Sequence, residues 1–266
     1  MKKYLTVFGL SFQNEFTYRL NFILWRFRNV LRVLMTFFLW NSIFSQNRIA
    51  FGYSREQMMA YVFLVLVITA FVSSAPSNDN IGGEIANGDL SNYLTKPISY
   101  MKYWLTRDWS SKLLNLLFAF GEISLLYFWL RPQLIINSSP GSVVIGVLLC
   151  VSAALIYFLV TKLAVMVAFW IPENTWGLMF SFLVLFEVLS GAIFPLDVLP
   201  TLGSKLLQFT PFPYMIYYPI AVMVGKLSPA QGLRILLQSL VWLGVGIWLV
   251  NKMWKSGLKT YSATGR

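Results

Sequence analysis

An all-α integral membrane protein with six transmembrane helices is what this sequence predicts, and three observations predict it. Of its 266 residues, 57 % are hydrophobic and only 12 % charged, with a mean hydropathy of +0.64. A soluble domain carries about 25 % charged residues, so this chain lacks the charge to coat a soluble surface, which excludes an ordinary cytoplasmic enzyme and a disordered chain. Six apolar stretches, at 23–44, 57–75, 113–130, 142–171, 176–194 and 231–251, approach or exceed the ~20 residues that a helix needs to cross a bilayer. None of the eleven prolines falls inside them. Proline removes an amide donor and breaks the helical ladder, so its confinement to boundaries supports these limits.

The whole chain, 1–266, reads as one transmembrane domain. Lys2 and Lys3 precede a short apolar run, but Gln13, Asn14 and Glu15 follow with no small-residue cleavage site, so a cleavable signal is not expected. Residues 1–20 contain an amphipathic helix over 3–20 instead. Leu5, Phe8, Phe12 and Phe16 line one side, and Thr6, Gly9, Gln13 and Thr17 another. Such a helix can lie along the bilayer interface or pack on the bundle.

The first span opens with Arg26, Arg28 and Arg32. Arginines are tolerated near a helix end, where they snorkel to the headgroups, so this end is placed at the cytoplasmic face. Six spans then put both termini in the cytoplasm, with 77–112 inside and 195–230 outside. On that arrangement 15 Lys and Arg lie inside and 6 outside, of the 21 present, as the positive-inside rule requires. The fourth stretch exceeds the length a span needs and can tilt. The outer connection holds six prolines yet stays apolar (Leu196, Leu199, Phe209, Tyr214, Ile216), which predicts a re-entrant segment packed on protein. No internal repeat is visible, so inverted-repeat transporter folds gain no support.

Composition also excludes chemistry. There is no histidine, which removes imidazole acid–base catalysis, Ser-His-Asp triads and His-ligated metal sites. The single cysteine, Cys150, lies in an apolar run and has no partner for a disulfide or a CxxC pair. The formal net charge is +11, but no Lys/Arg-rich run carries interleaved aromatics, so anionic lipid, not nucleic acid, is the expected counterpart. Ionisable residues inside the apolar stretches are few: besides the arginines near span ends, Glu122 sits mid-span in the third stretch, Glu187 in the fifth and Lys162 in the long fourth. An intramembrane charge is expensive and marks either a translocation path or a structural pairing across helices.

The cytoplasmic connection contains a second helical signal. Gly88 can end one turn, Asp89 can cap the next, and Pro97 stops it. Leu90, Tyr93 and Leu94 then fall on one face, an apolar ridge suited to a groove in a soluble partner or to the lipid surface.

These residues carry a resemblance. Glu84-Ile85, Gly88-Asp89-Leu90, Leu94 and Lys96-Pro97-Ile98 resemble the first cytoplasmic loop of ABC type-2 (ABC-2) permeases, in a poorly characterised bacterial branch. Leu189-Ser190-Gly191-Ala192-Ile193-Phe194-Pro195-Leu196 with Leu199-Pro200 resembles that family's motif at the end of the fifth span, and Thr210-Pro211-Phe212-Pro213-Tyr214 its following proline element. The resemblance covers nearly the whole chain. It implies a permease subunit of an ATP-driven exporter in the bacterial inner membrane, working with two ATPase subunits and a second permease, identical or related. It further implies ATPase coupling through Glu84, Gly88, Asp89, Leu90, Tyr93, Leu94 and Pro97, and a re-entrant motif at Gly191, Phe194, Pro195 and Pro200. No cofactor and no catalytic site is expected in this chain, since it has no GxxxxGK[ST] loop to cradle ATP phosphates. The alternatives are a proton-coupled secondary transporter using Glu122 and Glu187, and an intramembrane lipid enzyme. The latter finds no histidine, clustered acids or Ser-Lys pair to work with.

Overall fold

The structure, a computed structural model, describes residues 2–15, 19–46, 49–75, 80–136 and 139–262, with the side-chain surroundings of 19–22, 174 and 175 excepted. The described chain is mostly helical. Helix α1 (Lys2–Glu15) is followed by α2 (Arg19–Gln46), a two-residue hairpin of β1 (Ile49–Ala50) and β2 (Tyr53–Ser54), and α3 (Arg55–Val72). The short helices α4 (Ile81–Ala86) and α5 (Ser91–Leu94) lead to α6 (Tyr100–Leu130) and α7 (Pro140–Met166). Helix α8 (Thr175–Leu189), the short helices α9 (Thr201–Leu207) and α10 (Tyr217–Met223), and α11 (Pro229–Thr260) complete it.

Local chemistry sets several boundaries. Ser54 and Gln57 form a reciprocal capping box that starts α3, and Ser228 with Gln231 does the same for α11. Pro140 and Pro229 occupy first-turn positions where a missing amide costs nothing. The hairpin, absent from an all-helical expectation, turns at Phe51 and Gly52, both at positive φ, as a tight two-residue turn requires.

Among the described residues, four helices are long and apolar enough to cross a membrane: α3, α6, α7 with its 3₁₀ extension to Phe169, and α11. The other two expected spans differ in kind. Helix α2 has 28 residues but carries Arg26, Arg28 and Arg32. Helix α8 has 15 residues, about 22 Å of rise against a ~30 Å hydrocarbon core.

Two further boundaries depart from expectation. Residues 100–112, read from sequence as connection, are the first turns of α6. The polar residues Arg107, Asp108, Ser110, Ser111 and Lys112 are buried there, because other elements cover them. Lys112 Nζ donates to the carbonyls of Val72 and Ser74, both at 2.8 Å, and lies 3.2 Å from Asp108. It thus closes the C-terminus of α3, where a cation also meets the helix dipole. Of the expected helix over 3–20, the described part is α1, Lys2–Glu15, and Arg19 and Leu20 belong to α2; Phe16 and Thr17 lie outside the described residues. Helix α1 packs along α6, with Ser110 Oγ donating to the Phe8 carbonyl at 3.1 Å, so packing on the bundle holds, while Leu5 and Leu10 stay exposed.

The core divides in two. A large cluster joins α2, α3, α7, α8 and α10 through residues such as Phe37, Met58, Phe63, Tyr157, Phe186 and Ile220. A second gathers α4, α6, the end of α7 and the end of α11 around Ile81, Ile85, Leu90, Trp104 and Phe169. Segment 80–98, the 167–174 turn and the C-terminal end of α11 therefore share one end of the molecule. The 49–54 hairpin, the 195–200 motif and Lys226 share the other.

Candidate functional site

At the first end, α4 and α5 form a small helical corner. Gly88 adopts φ +84° between them, a left-handed turn that glycine takes without strain. The N–H of Leu90 donates back to the Glu84 carbonyl at 2.9 Å. Leu90 is 0 % exposed, packed among Ile81, Ile85, Tyr100 and Trp104. This corrects the expected ridge: Leu90 is an interior anchor, not part of an outward face. Asp89 is exposed and places no side-chain cap on α5; Leu90 occupies the N-cap position. Tyr93 is half-buried and donates its hydroxyl to Glu84 Oε1 at 3.0 Å, while Tyr100 donates to Glu84 Oε2 at 2.5 Å. Burial first, and then the Glu84 carboxylate, hold the Tyr93 hydroxyl above its ordinary range, so it remains a donor. What faces outward is Asn87, Asp89, Asn92 and the run Leu94–Pro97, with Leu94 47 % exposed. Glu84 therefore braces the corner from behind, and Asp89, Leu94 and Pro97 form its surface.

Inside the bundle, the two intramembrane acids meet arginines of α2. Arg26 grips Glu122 at both carboxylate oxygens, Nε to Oε1 at 2.5 Å and Nη2 to Oε2 at 2.6 Å, and donates to Asn115 Oδ1 at 3.2 Å. Two parallel bonds match the planar guanidinium to the carboxylate. Arg32 Nη1 lies 2.8 Å from Glu187 Oε1. Each acid thus faces an arginine of α2, and Lys162 is the partner of neither. Lys162 stands elsewhere, buried at the first end with its ammonium over the rings of Trp104 (5.5 Å) and Phe158 (5.1 Å).

The two pairs differ in shelter. The Arg26 and Glu122 side chains are 8 % and 16 % exposed, those of Arg32 and Glu187 23 % and 39 %. Arg32 borders a shallow cleft with Val62 and Val65, mid-length in the 18-residue α3. The Arg32–Glu187 pair is thus partly exposed, and Met35 on α2 and Val184 and Val188 on α8 are exposed as well.

At the opposite end, the Gly191–Pro200 motif is tied down on both sides. Tyr61 donates its hydroxyl to the Gly191 carbonyl at 2.6 Å, and the Tyr217 N–H donates to the Ser190 carbonyl at 2.9 Å. Pro195 is buried, Phe194 half-buried and Pro200 exposed. Tyr53, itself fully buried, donates to both oxygens of Asp197 at 2.9 and 3.0 Å. Lys226 donates to the Gly52 carbonyl at 2.6 Å and lies 3.9 Å above the Tyr53 ring. Burial, then the Tyr217 and Asp197 neighbours, push the Tyr53 hydroxyl well above its usual range. Sequence reasoning did not single out Tyr53, Asp197 or Lys226, which lie far apart in the chain. Gly191 sits at φ +89°, where a Cβ would stand 2.9 Å from both the Tyr61 hydroxyl and Tyr217 Cβ. Gly191→Ala is expected to destabilise the chain by about 1–3 kcal/mol. The unfolding midpoint of the purified protein reads this, and an unchanged midpoint would refute the close approach.

Over residues 30–265 the chain matches the family described as "ABC-2 family transporter protein". No curated protein matches it in sequence.

Proposed function

Because the chain belongs to the ABC-2 transporter family, whose membrane components carry no ATP-hydrolysing site of their own, we propose that it is the permease subunit of an exporter driven by separate ATPase subunits. In this reading it lies in the bacterial inner membrane with both termini cytoplasmic. Two ATPases dock at the 80–98 corner, and a second permease completes the path. The observation that carries the reading is the corner itself: a rigid helical step, braced from behind by Glu84 and Leu90, that presents Asp89, Leu94 and Pro97 outward. An exposed apolar residue rimmed by charge on a braced step suits a groove in a soluble protein.

A second permease is favoured by the α2 and α8 surface. Charges at membrane depth face protein or water, not lipid, and a 15-residue helix is too short to stand alone in hydrocarbon. The half-exposed Arg32–Glu187 pair and short α8 lie together, so this face suits a subunit contact and the path beside it. Proton-coupled transport through Glu122 and Glu187 would require each carboxylate to release its arginine, which disfavours that reading.

Six spans follow if α2 and α8 cross with the four long helices, leaving 195–230 outside as a re-entrant segment. In a chain with Cys150 replaced, Ser204→Cys should react with a membrane-impermeant maleimide added outside, and Ser262→Cys only after permeabilisation. External reaction at position 262 would overturn the topology and the docking corner with it.

A further inference from the structure

The corner at 80–98 is held by α11 as well as by its neighbours in sequence. Tyr261, immediately after α11, donates its hydroxyl to the Gly88 carbonyl at 2.5 Å and accepts the Ser91 N–H at 3.0 Å. One hydroxyl therefore bonds both sides of the α4–α5 turn across 173 and 170 positions of sequence. Two more contacts fix the same helix end. Trp254 stacks on Tyr100 at 5.2 Å and 15°, and Tyr100 holds Glu84. Phe169, beside Ile85 in the same cluster, presses on α11 at Gly257, where a Cβ would come within 2.2 Å of its ring. Phe169 also meets the rings of Trp254 and Tyr261 edge-on.

From this geometry we infer that the end of α11 is a strap that relays movement of the 80–98 corner into the last membrane helix, with Tyr261 as the positioning residue. The inference rests on the docking role given to the corner above. A rigid helix carries a displacement along its whole length, and α11 spans 32 residues, about 48 Å. Motion at Gly88 therefore reaches the opposite end, where Gly232 packs against Ile145 and Val222. Without the hydroxyl, only the ring contacts of Trp254 and Phe169 still join the corner to α11, and a movement of the corner reaches α11 less fully.

The test uses Tyr261→Phe, which keeps the ring and removes both hydrogen bonds. In the full chain, amide exchange at Ser91 should quicken by roughly tenfold, the scale of one lost hydrogen bond. In the complex with its ATPase, Ala230→Cys in a Cys150→Ala background reports the far end of α11. Its maleimide reactivity should change when ATP and vanadate are added, and Tyr261→Phe should reduce that change several-fold while the ATPase still co-purifies. Leu94→Glu separates the two ideas, because it should remove the ATPase itself. If Leu94→Glu retains the ATPase and the change at position 230, the docking role fails. If Tyr261→Phe retains that change in full, or the unsubstituted complex shows none, the relay is overturned.

Discussion

Replacing Glu122 with leucine should destabilise the fold by about 3–5 kcal/mol, the scale seen when one partner of a buried ion pair is removed. The variant leaves the Arg26 guanidinium buried with only Asn115 to accept from it. The paired replacement Arg26→Leu with Glu122→Leu should recover most of the loss, because two apolar side chains replace both charges and neither is stranded. Unfolding of the purified chain in one detergent, compared across the two singles and the double, measures this. Equal loss in the double and in Glu122→Leu would mean that the pair acts through something other than mutual neutralisation.

Leu94→Glu and Leu90→Glu should fail in different ways, although the residues stand four apart. Leu94 is exposed, so a charge there leaves the isolated chain intact but must be desolvated in a partner's groove. That costs a few kcal/mol, enough to weaken ATPase association by roughly 100-fold. Leu90 is enclosed by its own chain, so a charge there should disrupt the corner with or without a partner. Co-purification with the ATPase, set beside the melting temperature of the isolated chain, separates the outcomes. Normal stability in Leu90→Glu would contradict its burial, and normal association in Leu94→Glu would move the docking surface, with the turn between Ile171 and Thr175 next to be tested.

Much of the helical layout was legible because hydrocarbon imposes a length and a composition that local sequence displays directly. Helices α3, α7 and α11 follow their apolar runs. The start of α6 did not, because its first turns bury serines and charges whose partners, such as the Val72 carbonyl and Phe8 carbonyl, lie in other elements. Apolar periodicity reports burial only where the buried side is apolar. The same limit explains the corner: capping rules located the turn at Gly88, but which side of α5 faces the molecule depends on Ile85, Tyr100 and Trp104. Glu122 and Glu187 were visible as charges out of place, whereas their partners stood 96 and 155 positions away. The lock of Tyr53, Asp197 and Lys226 joins three connections whose proximity no local pattern encodes.

The long separation within the two ion pairs bears on how the chain is made. Helix α2 leaves the ribosome with four arginines and no acidic residue of its own. Synthesis proceeds at about 5–20 residues per second, so Glu122 arrives some 5–20 s after Arg26, and Glu187 about 8–30 s after Arg32. Until then, seating α2 at its final depth exposes bare guanidinium groups to hydrocarbon. An arrested nascent chain ending before Glu122 should accordingly leave Phe27→Cys open to an aqueous thiol reagent, and one extended past Leu130 should protect it. The first of the long helices to be translated is thus among the last to settle, and its insertion is completed by acids encoded in the middle and final third of the message.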